Sequence, residues 1–123
     1  MNTIVLHIAA GLTAVWGVAH LLATRGVVRG FGEITPDNRR IITMEWIVEG
    51  VALISIAAFT VAGTVTGYGV SGPLPVFAVA VGTLLVLAIV SLFTGFRVAF
   101  LPFRLCPFIF GASAALIVWG AWL

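Results

Sequence analysis

The chain has 123 residues, 62% of them hydrophobic and only 8% charged, whereas about a quarter of the residues in a soluble domain are charged. Six Arg and four acidic side chains are too few to coat one domain of this size in water. The composition therefore excludes an ordinary soluble globule and points to lipid as the main solvent.

Four apolar stretches, residues 3–24, 41–63, 74–96 and 105–123, are each long enough to cross a hydrocarbon core of about 30 Å, which takes about 20 helical residues. Because backbone groups in lipid must be satisfied within the segment, helices are expected rather than strands. The expected fold is all-α: one domain, a polytopic integral membrane protein built as an antiparallel bundle of four transmembrane helices.

The first stretch is preceded by no Lys or Arg and followed by no small-x-small cleavage site, so it is expected to be retained rather than removed as a signal peptide. Along it runs a seam of small or polar residues, Thr3, Leu6, Ala10, Thr13, Gly17, His20 and Thr24, suited to close helix approach. His20 is expected to point inward, about 7 Å from the end of the span at Arg25. The connection 25–40 is long and charged, and its stretch from Gly26 to Gly32 reads as a segment lying at headgroup level. Thr35-Pro36-Asp37 is a helix start: N-cap, proline at the first helical position and an acid in the first turn.

On the second stretch Glu45 and Glu49 are four residues apart and share a face that continues through Ala52, Ile56 and Gly63. Glu49 lies about 12 Å along the axis from Ile41, well inside the span. Connection 64–73 is Gly-rich and uncharged. The third stretch carries Thr83, Val90, Thr94 and Arg97 on one face, and connection 97–104 is short and basic, with Pro102 and Pro107 bracketing the turn into the fourth stretch. Every Arg falls in connection 25–40 or 97–104, so the positive-inside rule puts both in the cytoplasm and both termini outside, in a bacterial or archaeal cytoplasmic membrane. Trp46 fits an inner aromatic belt, and Trp119 and Trp122 an outer one.

An ionisable group inside a span is costly and normally faces the bundle interior or a wet cavity. His20, Glu45, Glu49, Thr94 and Arg97 are therefore the candidate site, expected to converge in the inner half of the bundle. Two readings stay open: a structural network of ion pairs and hydrogen bonds that fixes helix register, or a site for a small molecule, a lipid headgroup or a proton.

Other chemistries have little support. His7 and His20 are about 20 Å apart on one helix, too far to share a haem. Two distant His and the lone Cys106 offer no metal-ligand cluster, so neither a metal nor a cofactor is expected. Cys106 is expected to pack as a small apolar residue. No catalytic triad or phosphate loop is present, which weighs against an enzyme, and Ser55, Ser91 and Ser113 are expected to bond helix backbone. Arginines confined to two short segments give no nucleic-acid footprint. The small-x-x-x-small pairs Ala78 with Gly82, Ser91 with Gly95 and Gly111 with Ala115 suit packing within the chain or between copies.

The first span ending in Gly17-Val18-Ala19-His20-Leu21, the polar connection and the second span Glu45-Trp46-Ile47-Val48-Glu49-Gly50-Val51-Ala52-Leu53 resemble the DoxX-like family of small four-helix membrane proteins. The resemblance covers about the first half of the chain. It implies a fold and, since family members are mostly of unknown or accessory function, no substrate. The expected function is a non-enzymatic accessory or ligand-binding bundle holding a lipid or small amphiphile, with a proton-coupled transporter or channel using Glu49 as the alternative. Expected partners are membrane lipid and a second copy of the chain or a larger membrane complex.

Overall fold

A computed structural model describes residues 1–66 and 74–123. They form four helices, α1 (Thr3–Gly30), α2 (Pro36–Val65), α3 (Leu74–Phe93) and α4 (Leu101–Trp122), with a 3₁₀ turn at Gly95–Arg97 between the last two. All four spans are long and apolar enough to cross a membrane. The Gly-rich part of connection 64–73 falls on residues 67–73, outside the described ones.

Two boundaries differ from expectation. Residues 25–30 do not form a separate connection; α1 continues through them to Gly30. A glycine inside a helix costs only about 1 kcal/mol, and Val28 is buried there, so packing carries the helix past Gly26. The chain turns away just past its end at Gly32, whose φ of +68° is open to glycine at little cost. α4 starts at Leu101 rather than 105, because Pro102 falls in the first turn, where its missing N–H would be unpaired anyway. Pro107 sits inside α4 and forgoes a bond to the Phe103 carbonyl. The α2 start is as read: Thr35 caps it, its hydroxyl accepting from the Asn38 N–H at 3.2 Å.

α1 is the hub. It packs along α2 and α4, α3 packs on α4, and α2 and α3 barely meet. Leu6, Leu53, Phe77, Leu84, Phe110 and Ile117 fill the core. Outward positions such as Ile4, Leu22, Val79, Phe93 and Phe108 are exposed and apolar, as a lipid-facing surface requires.

For helices apolar enough to lie in lipid, which is as apolar as leucine, close packing and hydrogen bonds would decide which helices touch. The α1 seam is buried from Leu6 through Ala10, Thr13, Gly17 and His20 to Thr24; only Thr3 is exposed. At its centre α1 and α2 meet backbone to backbone. A Cβ on Gly17 would lie 2.8 Å from the Gly50 carbonyl oxygen, and one on Gly50 would lie 2.7 Å from Leu21 Cδ2. Gly120 of α4 is as crowded by Leu6, and its carbonyl accepts from the Asn2 N–H at 2.6 Å. Of the small-residue pairs, Ser91 with Gly95 comes close to a neighbour within the chain, where a Cβ on Gly95 would lie 3.3 Å from the Phe103 carbonyl oxygen; the glycines of the other two pairs do not. A Cβ on Gly82 or Gly111 would meet nothing within 4 Å.

Candidate functional site

His20 is the most constrained polar side chain of the bundle. It is buried, and its Nδ1 lies 3.1 Å from the Trp16 carbonyl oxygen one turn earlier. The Trp46 indole stacks on its ring, centroids 4.7 Å apart and planes 23° from parallel, while Trp16 meets it edge-on at 6.0 Å. Trp46 Nε1 also donates to the His20 carbonyl at 2.6 Å, and the Thr24 hydroxyl donates to the same oxygen at 3.0 Å. Both ring and backbone of His20 are thereby fixed by α1 and α2 together.

The remaining ring nitrogen, Nε2, lies 3.5 Å from Glu49 Oε1, with side-chain exposures of 6% for His20 and 34% for Glu49. This separation is ion-pair reach rather than a close hydrogen bond. A carbonyl oxygen only accepts, so the Trp16 contact requires a proton on Nδ1. Nε2 and Glu49 are then compatible when they hold one proton between them: imidazolium beside carboxylate, or neutral imidazole beside carboxylic acid. Without that proton a lone pair faces an anion.

Glu49 opens onto a cavity of about 480 Å³ between α2 and α3, floored by His20 of α1 and by Phe103 and Cys106 of α4. Glu45, Trp46 and Ala52 form its α2 wall, and Val90, Ser91 and Thr94 its α3 wall. It exists because α2 and α3 barely meet. One turn further along the same seam, Ile56 and Phe59 face Val76, Val79 and Thr83 across a second, almost wholly apolar space of about 330 Å³.

Of the five residues the sequence singled out, His20, Glu45, Glu49 and Thr94 line the first cavity. Arg97 is exposed in the 3₁₀ turn and is not among the lining residues. The expected four-membered charge network therefore reduces to the His20–Glu49 pair; among the described residues the other ion pair is Arg40 with Asp37 at the surface. The Glu45, Glu49 and Ala52 face borders the cavity, while the α1-facing seam of α2 is Gly50, Leu53, Ala57 and Thr60. Thr94 spends its hydroxyl proton on the Val90 carbonyl at 2.7 Å, leaving the oxygen as an acceptor.

Trp46 and Phe103 were not anticipated as site residues. Trp46 sits where an inner aromatic belt would be, yet it bonds and stacks on His20. The signal available was its place one residue after Glu45 and three before Glu49, but a partner on another helix is not coded locally. Ser55 bonds the Val51 carbonyl as expected. Ser113 does not: its buried hydroxyl and the Trp16 indole N–H lack partners. His7 reaches the Thr64 hydroxyl at 3.2 Å at the other end of the bundle. Cys106 is buried and donates to the Pro102 carbonyl. Among the described residues no group of three His, Cys, Asp or Glu side chains could hold a metal ion. No family model, curated protein or solved structure matches the chain, so the functional reading rests on the chemistry of this cavity.

Proposed function

We propose that the chain is a polytopic membrane protein of four antiparallel spans, with residues 25–40 and 97–104 cytoplasmic, that acts as a non-enzymatic binding bundle for a lipid or small amphiphile. The polar end of the ligand enters the cavity beside His20 and Glu49, and its apolar part lies along the α2–α3 seam. Membership of the DoxX-like family belongs to the same proposal and is supported by the residues of the first two helices quoted above.

The observation that carries the reading is Glu49 itself. It lies about 12 Å inside the apolar stretch of α2, is one-third exposed, and faces an opening rather than a packed neighbour. A carboxylate so placed is costly against hydrocarbon; a polar ligand head removes that cost. A purely structural ion pair would be expected to be closed over by side chains from both partners' helices.

Ala52→Trp, at an exposed position on the cavity wall, tests this by filling the space while leaving the His20 and Glu49 side chains themselves unaltered. After extraction in a mild detergent, mass spectrometry is expected to find an amphiphile retained by the wild type and depleted at least several-fold in Ala52→Trp, with helix content unchanged by circular dichroism. Equal retention of every lipid by the two folded proteins would remove the proposal.

A further inference from the structure

We infer that the ligand's head is a single positive charge carried on an apolar body, which balances the Glu45 carboxylate while His20 and Glu49 keep their shared proton; this rests on the cavity being the binding site. The argument begins with charge. The lining contains two of the four acidic residues of the chain, Glu45 and Glu49, one His and none of the six Arg. With one proton on the His20–Glu49 pair, an ionised Glu45 leaves the lining one negative charge in excess. Glu45 has no ion-pair partner among the described residues. The two carboxylates are one turn apart on the same helix face, where like charges repel, and none of the cavity's lining residues supplies the missing cation.

Shape narrows the class. Trp46 and Phe103, ring centroids 5.3 Å apart, contribute aromatic surface to the cavity walls, which attracts a weakly hydrated organic cation. An inorganic ion would gain nothing from the second space along the seam, which begins at Ile56, one turn beyond Ala52, and is lined by Phe59, Val76 and Val79. From Glu45 to Phe59 the seam is about 21 Å long, enough for a cationic head followed by a medium alkyl chain or an equivalent ring system. An anionic headgroup would meet two carboxylates and no arginine.

The proton balance follows from the geometry at His20. With Nδ1–H committed to the Trp16 carbonyl, the pair holds one proton between Nε2 and Oε1. That proton stays in place when a cation binds, because without it the Nε2 lone pair would face the Glu49 carboxylate. The ligand's charge therefore balances Glu45, and no group of the site changes state.

Decyltrimethylammonium, decanol and decyl sulfate share a chain length and differ in head charge, and dodecyl maltoside micelles add no competing charge. Titrated into the purified protein in weak buffer with a pH-sensitive dye, decyltrimethylammonium is expected to bind at least about tenfold tighter than decanol, a factor that one partly screened charge contact readily supplies. No proton should be released on binding. Decyl sulfate should not bind. Glu45→Gln should erase the preference for the cation over decanol while leaving thermal stability unchanged. Decanol binding as well as the cation, or decyl sulfate binding best, would overturn the inference and leave an amphiphile site standing. Binding of none of the three would overturn both, whether the cleft is closed or covered by a second copy.

Discussion

At the scale of single residues, Trp46 holds the candidate site together. Its N–H spans from α2 to the His20 carbonyl of α1, and its ring covers the imidazole that Glu49 needs as a partner. The two contributions are separable. Trp46→Phe keeps most of the ring and removes the N–H, leaving the Thr24 hydroxyl still bonded to that oxygen; the expected cost is about 0.5–1.5 kcal/mol, the usual net worth of one hydrogen bond. Trp46→Ala also removes the stack and opens a hole beside the ring, for an expected loss of about 3–5 kcal/mol. Reversible unfolding in mixed micelles measures both; equal losses from Phe and Ala would show that the stack contributes nothing. That His20, Glu45, Glu49 and Thr94 gather around one cavity was legible because polarity inside an apolar run is visible without a structure. Arg97 lies outside that lining for a physical reason: its spacing from Thr94 assumed a continuous α-helix, and the chain instead leaves α3 at Phe93 and turns through a 3₁₀ segment.

At the scale of elements, the crossing of α1 and α2 sets where His20 and Glu49 stand. Gly17 and Gly50 let the two backbones touch, which brings the positions flanking them, one turn toward the cavity, within reach of each other. Gly17→Ala would put a methyl group against the Gly50 carbonyl and Ile54, and it is expected to destabilise by about 1–3 kcal/mol, the range for overpacking a tight contact. Gly82→Ala, with open space around the new methyl, is expected to be neutral or to stabilise by up to about 1 kcal/mol through helix propensity. If the two substitutions cost the same in the same unfolding assay, the crossing is not where it is described. The α1 seam was readable in advance because its small and polar residues recur at helical spacing against a background of large apolar ones. On α3, by contrast, both faces are apolar or small, so nothing in the pattern told the packed face of Phe77, Ala80 and Leu84 from the cleft face of Thr83 and Val90. Which glycines make contacts was likewise hidden, since Gly82 and Gly17 look alike until the neighbouring helix is in place.

At the scale of the whole molecule, the asymmetry that defines the cleft and the asymmetry of charge point the same way. Arg25, Arg29, Arg39, Arg40, Arg97 and Arg104 all belong to one end of the bundle, where α1 passes to α2 and α3 to α4, and the cavity with Glu45 and Glu49 lies nearer that end than the His7–Thr64 contact does. In the proposed orientation this end is cytoplasmic, as the positive-inside rule would have it. The site then opens to the inner leaflet, and a cation drawn to it would approach past a ring of arginines whose repulsion is screened within about 10 Å at ordinary ionic strength. Lateral entry between α2 and α3, from the bilayer, avoids that barrier; entry from the cytoplasmic water does not. Orientation is therefore part of the mechanism, and it is directly measurable. Asp37→Cys places a thiol in the exposed first turn of α2, while Cys106 is buried. A membrane-impermeant maleimide is expected to label Asp37→Cys in inside-out vesicles and leave it unlabelled in right-side-out vesicles, with the parent protein unlabelled in both. Labelling from the outside instead would reverse the bundle, place Glu49 in the outer leaflet, and require the ligand to come from the opposite face of the membrane.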